Sequence, residues 1–174
     1  MWVFGYGSLM WDGWESQHAC TRRILARLSG YSRKFNKASI KNWGTKELPG
    51  PTLNLSVVPT GLCEGIAFEF PDSKKVQILS YLEEREGKTF PLREVSVYLE
   101  GDLEILAFVP FYAGANVIEG ESLDDIASMV LAASGTKGTG LDYVKGIAKQ
   151  LSDLGINDPV VTELWNKVNS NDEF

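Results

Sequence analysis

Near the start of the chain, a short apolar run leads directly into a turn that contains two glycines. Its members are Val3, Phe4, Gly5, Tyr6, Gly7, Ser8 and Leu9. The uncharged β-forming residues predict a buried strand, and Gly5 and Gly7 predict a turn with backbone angles that a Cβ would disfavour. Consecutive N–H groups in such a turn can bind a carboxylate or a developing oxyanion. The same residues would also serve simply to end a strand, and their spacing leaves both interpretations open.

The second group that could do chemistry is a glutamate at the end of a predicted helix, residues 72–86. Asp72 or Ser73 is the predicted N-cap, and Gly87 is expected to end the helix. At about 100° per residue, one apolar stripe is formed by Val76, Leu79 and Leu82.

Glu86 falls on this stripe, one turn beyond Leu82, whereas Arg85 points away from it. Because burying an ionised carboxylate without partners is costly, a glutamate in this position suits a general base. A surface glutamate at a frayed helix end explains the same spacing, so periodicity alone does not decide between the two.

A cysteine–histidine nucleophile is the other chemistry that the residue types allow. His18 is the single histidine, and Cys20 lies two residues from it. No third group that would orient the histidine is evident in the sequence. We therefore expect two incidental loop residues rather than a catalytic pair.

The elements that must position these groups change in type along the chain. Strands are predicted over residues 21–28, 31–38, 52–58, 62–70, 92–99 and 103–111, and helices over 123–133, 142–154 and 159–168. Turns at 59–61 and 100–102 predict two hairpins. Strands first and helices last predict an α+β fold, with a mostly antiparallel sheet or small barrel and helices packed outside.

Composition excludes several classes of protein. At 174 residues, with 44% hydrophobic and 23% charged residues, the chain fits one globular domain over 1–170 with a frayed acidic tail at 171–174. A net charge of −6 argues against nucleic-acid binding. No apolar stretch is long enough to span a bilayer and no secretion signal is evident, which predicts a cytoplasmic protein. One histidine and two cysteines without ligand spacing predict no metal site.

Four segments, in this order along the chain, resemble landmarks of the γ-glutamylcyclotransferases, and most closely of their ChaC-type, glutathione-cleaving branch. They are Val3 to Leu9, Gly30 to Phe35, Tyr81 to Glu86 and Gly138 to Tyr143. The resemblance implies a small mixed, mostly antiparallel β-barrel with the 5–9 turn and Glu86 meeting at its mouth. It makes Glu86 the catalytic residue and Val3 to Leu9 the substrate-binding segment. Glu83, Tyr112 and Tyr143 become candidate pocket residues.

The activity that this resemblance implies is the cyclisation of a γ-glutamyl peptide to 5-oxoproline, without cofactor or metal. Glutathione is the expected substrate, and Cys-Gly is then the second product. Phe90 stands where the family often has a tyrosine, and residues 39–51 lack the Arg-Gly loop associated with glutathione-degrading members. Another γ-glutamyl peptide or a γ-glutamylamine is therefore the alternative substrate. A non-catalytic binding or regulatory protein for γ-glutamyl compounds is the alternative function, and the sequence leaves the oligomeric state undetermined.

Overall fold

A computed structural model describes residues 1–170, which divide into two compact units. The first unit comprises Met1–Ser32 and Leu55–Gly114, and the second comprises Arg33–Asn54 and 115–170. The single domain over residues 1–170 stays a prediction, and the tail predicted at 171–174 lies outside the described residues. Every helix within residues 1–170 is too short or too polar to cross a membrane.

Five strands form a closed barrel with the order β1-β3-β2-β4-β5. The strands are β1 (Trp2–Gly5), β2 (Arg22–Ser39), β3 (Gly50–Glu69), β4 (Leu92–Leu99) and β5 (Glu104–Pro110). β1 pairs antiparallel with β3 and parallel with β5, while β4 pairs antiparallel with both β2 and β5. The predicted mixed, mostly antiparallel barrel is thus confirmed.

β3 is longer than the sequence pattern predicted, because it runs without interruption from Gly50 to Glu69. The hairpin predicted at 59–61 is therefore wrong. A Cβ on Gly61 would lie 2.7 Å from the carbonyl oxygen of Tyr31. This glycine allows the backbone of β2 to approach closely instead of forming a turn. β2 likewise continues through Gly30, where a φ of +82° replaces the predicted break.

The helix of the first unit, α1 (Lys75–Glu86), follows a 3₁₀ turn at Asp72–Lys74. The predicted cap is wrong, since the α-helix begins after Lys74 without a side-chain cap. Its end is as predicted: Gly87 has a φ of +81° and its N–H donates to the carbonyl of Glu83. Gly87 thus holds Glu86 in the last position of the helix.

The buried face of α1 is rotated from the predicted stripe. Ile78 and Leu82 are 0% exposed, whereas Val76 is 79% exposed. Ile78 and Leu82 are four residues apart, and the next positions on their face are three and four residues beyond Leu82. Those positions are Arg85 and Glu86. Arg85 was expected to point away, but it shares the inward face with Glu86.

A pair of alanine substitutions tests this orientation. We expect Ile78→Ala to lower the free energy of unfolding by about 2–5 kcal/mol, because it removes buried methyl groups from a packed core. Val76→Ala, on the exposed side of the same helix, should change it by less than about 0.5 kcal/mol. Urea unfolding followed by circular dichroism measures both. A larger loss for Val76→Ala than for Ile78→Ala would show that the predicted stripe, and not Ile78, faces the core.

The second unit contains α2 (Leu123–Ala132), α3 (Gly140–Asp153) and α4 (Pro159–Asn169). Two-residue strands β6 (Ser134–Gly135) and β7 (Gly138–Thr139) form the connection between α2 and α3. Capping boxes begin α2 at Ser122 and α3 at Thr139, and Asp158 caps α4. The three predicted helices are therefore present, with ends shifted by at most a few residues.

Candidate active site

The turn after β1 contains a short 3₁₀ helix, Ser8–Met10. The N–H of Met10 donates to the Gly7 carbonyl at 2.9 Å, and that of Trp11 donates to the Ser8 carbonyl at 3.3 Å. The N–H groups of Ser8 and Leu9 precede these bonds and have no acceptor within the turn. They are the donors that an anionic group could use.

Neither glycine of the turn is in the left-handed conformation, and Gly7 has a φ of −131° and a ψ of −134°. Among residues 1–170, neither Gly5 nor Gly7 has a positive φ. A Cβ on Gly5 would instead lie 3.0 Å from the Cβ of Leu9 and 3.3 Å from the ring of Phe68. Space, and not a left-handed conformation, therefore requires a glycine at position 5.

Most side chains of the predicted binding segment are inside the protein. Val3 and Phe4 are fully buried, and Leu9 is nearly so. The buried hydroxyl of Tyr6 donates to the Pro110 carbonyl at 2.9 Å, at the end of β5. The backbone of the segment and the partly buried Ser8 are therefore the parts suited to contact a ligand, and Tyr6 fixes the turn against the barrel.

Glu86 lies at the end of α1 in a chain of charged contacts. Its side chain is 16% exposed, and its Oε1 lies 2.9 Å from Arg85 Nε. Arg85 Nη2 lies 2.5 Å from Asp12 Oδ2. The other oxygen of Asp12, Oδ1, accepts a hydrogen bond from the backbone N–H of Trp14 at 3.4 Å. These contacts join the loop after the turn to the end of the helix.

Arg85 lies between two carboxylates and is mostly buried. Burial by itself would lower the pKa of Arg85, but its hydrogen bonds with Asp12 and Tyr81 and the charges of Asp12 and Glu86 raise that pKa above its ordinary value. A guanidinium in this setting stays charged and donates to both carboxylates in a planar geometry.

Trp14 makes a second link between the turn and α1. It is 1% exposed, and its Nε1 donates to the Leu9 carbonyl at 3.1 Å. Its ring stacks on Tyr81, with centroids 5.9 Å apart and planes at 12°. Trp14 is therefore part of the packed core of the first unit.

The other three candidate residues are Glu83, Tyr112 and Tyr143, and each has different surroundings. Glu83 is exposed, and no partner for its side chain is present among residues 1–170. The half-buried Tyr112 packs on Phe90, with ring centroids 5.0 Å apart. In the second unit, the buried hydroxyl of Tyr143 accepts a hydrogen bond from the Leu53 N–H at 3.1 Å. Their roles as pocket residues stay predictions.

His18 and Cys20 do not form a nucleophile pair among residues 1–170. His18 packs against Tyr81 with ring centroids 4.3 Å apart, and the Cys20 thiol donates to the Arg22 carbonyl at 3.1 Å. Burial raises the pKa of the Cys20 thiol although the hydrogen bond to Arg22 opposes this, which disfavours the reactive thiolate.

Sequence reasoning missed Asp12 and Arg85. A helical projection centred on Ile78 and Leu82 would have placed Arg85 beside Glu86, because positions three and four residues beyond Leu82 share one face. For Asp12 no local signal exists, since its partner lies more than seventy positions away in the sequence. Only the packing of the first loop on α1 brings the two together.

Comparison with solved structures identifies the class of fold. A glutathione-specific γ-glutamyl cyclotransferase from yeast superposes with a TM-score of 0.88 at 22% identity, covering 98% of this chain and 96% of that one. The fold is therefore that of the γ-glutamyl cyclotransferases. The family model of ChaC-like proteins matches residues 1–171. This chain belongs to the ChaC-like family.

Named relatives come from plants, bacteria and animals. Gamma-glutamylcyclotransferase 2-3 of Arabidopsis thaliana is 31% identical, over 97% of this chain and 88% of the relative. The glutathione-specific gamma-glutamylcyclotransferase of Escherichia coli is 31% identical over 94% of this chain and 71% of its own length. The human glutathione-specific gamma-glutamylcyclotransferase 1 is 27% identical, over 85% of this chain and 68% of the relative.

Proposed function

We propose that this protein is a γ-glutamylcyclotransferase that converts glutathione to 5-oxoproline and releases Cys-Gly. The observation that carries the proposal is the carboxylate of Glu86. It is mostly buried at the end of α1 and is joined through Arg85 and Asp12 to the loop that follows the β1 turn. Membership of the ChaC-like family and the names of the relatives support the same activity.

The reaction is an intramolecular transfer of an acyl group. Glu86 takes a proton from the α-ammonium group of the substrate, and the resulting amine attacks the γ-carbonyl carbon. A carbon–nitrogen bond forms to close the five-membered ring, and the tetrahedral intermediate then loses the cysteinyl nitrogen. Glu86 returns the proton to that nitrogen, which leaves as an amine. The ring nitrogen loses its second proton as the amide forms, and the released amine takes up a proton, so neither water nor a net proton is consumed. One carboxylate serves as base and then as acid.

Correct orientation of the amine and the carbonyl accounts for much of the expected rate enhancement. The amine and the carbonyl belong to one molecule, and well-oriented intramolecular reactions reach effective molarities of about 10⁵ M or more. The N–H groups of Ser8 and Leu9 would bind the glutamyl end of the substrate or the tetrahedral oxygen. A single oxyanion donor is typically worth about 3 kcal/mol.

The first experiment is an assay of the purified protein with glutathione. We expect 5-oxoproline and Cys-Gly in equal amounts by mass spectrometry, because the reaction divides glutathione into these two molecules. The parallel assay with a γ-glutamylamine compares the alternative class of substrate. A cleavage that yields glutamate instead of 5-oxoproline would contradict the cyclisation.

A second candidate function is a binding or regulatory protein for γ-glutamyl compounds. The buried backbone-lined turn suits binding without catalysis as well as it suits an enzyme. Thermal stabilisation by glutathione with no product from any γ-glutamyl compound would favour this function. The cytoplasmic location stays a prediction in either case.

A further inference from the structure

We infer that Arg85 and Asp12 are positioning residues that orient Glu86 and leave its Oε2 free to exchange a proton with the substrate. This inference rests on the proposed function, since it assigns roles around the same carboxylate. It concerns the chain of contacts from the Trp14 N–H through Asp12 and Arg85 to Glu86.

The two oxygens of Glu86 are in different surroundings. Oε1 accepts a hydrogen bond from Arg85 Nε at 2.9 Å. Oε2 has no hydrogen-bond partner among residues 1–170, and it is not one of the buried polar atoms left unpaired there. Oε2 is therefore not completely buried, in a side chain that is 16% exposed. Because one oxygen is held, the other is left in a defined direction for the proton of the substrate.

Arg85 can hold Oε1 only because its own orientation is fixed. Its side chain is 13% exposed, and its Nη2 contacts Asp12 Oδ2 at 2.5 Å. The planar guanidinium places Nε and Nη2 in one plane, so fixing one end through Asp12 also fixes the direction of the other. Asp12 is in turn held by the backbone N–H of Trp14.

Surface ion pairs contribute little to stability, but the side chains of Arg85 and Glu86 are mostly buried and their contact has a geometric role. A general base must lie within hydrogen-bond distance of the proton that it removes. A displacement of about 1 Å at a reacting group can lower the rate about a hundredfold. Loss of either contact should therefore lower turnover more than it weakens substrate binding.

The test compares three variants in steady-state assays with glutathione. Arg85→Lys keeps the charge but cannot make the planar two-ended contact, and Asp12→Asn removes the charge that fixes Arg85. We expect each to lower kcat by about 10- to 100-fold with KM little changed. Asp102→Asn is the matched control, because Asp102 pairs with Arg27 at an exposed position. It should leave kcat unchanged.

The double variant Asp12→Asn/Arg85→Lys distinguishes a connected chain from two separate effects. Its kcat should be no lower than that of the less active single variant, because the effects of two substitutions in one connected network are not additive. Asp12→Glu keeps the carboxylate and should recover part of the loss. Circular dichroism and the melting temperature show whether each variant is folded. If Asp12→Asn does not fold, the kcat and KM of Arg85→Lys are sufficient to test the inference.

Full kcat in Arg85→Lys and Asp12→Asn would overturn the inference, as would losses that multiply in the double variant. Glu86→Gln separates this failure from that of the proposed function. If Glu86→Gln is inactive while the Arg85 and Asp12 variants are fully active, only the positioning roles are wrong. If Glu86→Gln is itself active, the proposed function of Glu86 is wrong.

Discussion

Replacing Glu86 with glutamine is expected to lower kcat with glutathione by about 10²- to 10⁴-fold, the usual contribution of a general acid–base residue. The amide has nearly the shape of the carboxylate, and its carbonyl oxygen can still accept the hydrogen bond from Arg85. It cannot take a proton from the ammonium group of the substrate. The production of 5-oxoproline in single-turnover and steady-state assays measures the loss.

Two measurements make this result specific to the carboxylate. Glu84→Gln is the matched control, because Glu84 is an exposed residue on the same helix and should have the activity of the parent protein. Calorimetric titration of Glu86→Gln with glutathione should give an affinity close to that of the parent protein. If Glu86→Gln is active, Glu86 is not the base. If Glu84→Gln is inactive, the loss in Glu86→Gln reflects the charge at the helix end and not the carboxylate of Glu86.

Replacing Trp14 with alanine should lower the free energy of unfolding by about 3–5 kcal/mol, as is typical for a buried aromatic side chain. Trp14 packs against Phe68, Phe70 and Tyr81, so its loss opens a cavity between the barrel and α1. A loss of this size is a large part of the stability of an ordinary domain. Urea unfolding measures it.

Trp14→Phe separates packing from hydrogen bonding at this position. Phenylalanine refills most of the volume but leaves the Leu9 carbonyl without the Nε1 donor, which costs about 1–3 kcal/mol for a buried acceptor. Trp165→Ala is the control, because Trp165 is partly exposed and should cost less than Trp14→Ala. Equal losses for Trp14→Ala and Trp165→Ala would show that Trp14 is not a principal part of the core.

Trp14→Ala should also lower activity at temperatures where the protein is still folded. The Nε1 bond holds the Leu9 carbonyl, and Leu9 is part of the turn that is proposed to bind the substrate. The loop after the turn makes two contacts with α1. Trp14 stacks on Tyr81, and Asp12 pairs with Arg85. The loop therefore positions both parts of the proposed site.

Features that depend on neighbours in the sequence could be predicted. The hairpin at 100–102 joins β4 to β5, and Gly87 ends α1, because a turn or a helix end depends on a few adjacent residues. The start of α2 at Ser122 follows the same rule. Glu86 became a candidate in this way, as a carboxylate on an apolar stripe just before a glycine at a helix end, and the family resemblance then made it the candidate base.

Features that depend on residues distant in the sequence could not be predicted. Gly61 was expected in a turn, but its lack of a Cβ serves a close approach to Tyr31, which only the neighbouring strand explains. The face of α1 that is buried depends on what packs against the helix. Ile78 is therefore in the core where Val76 was predicted, and Arg85 lies on the inward face.

The order of the elements, the turn at 100–102, the end of α1 at Gly87 and the glutamate before it could all be read from neighbouring residues. The tertiary structure alone decided how that glutamate is held. Asp12 and Arg85 are brought together by packing of the first loop on α1, and no periodicity within either segment encodes that contact. Local spacing records backbone geometry, whereas the partner of a buried charge is set by long-range packing.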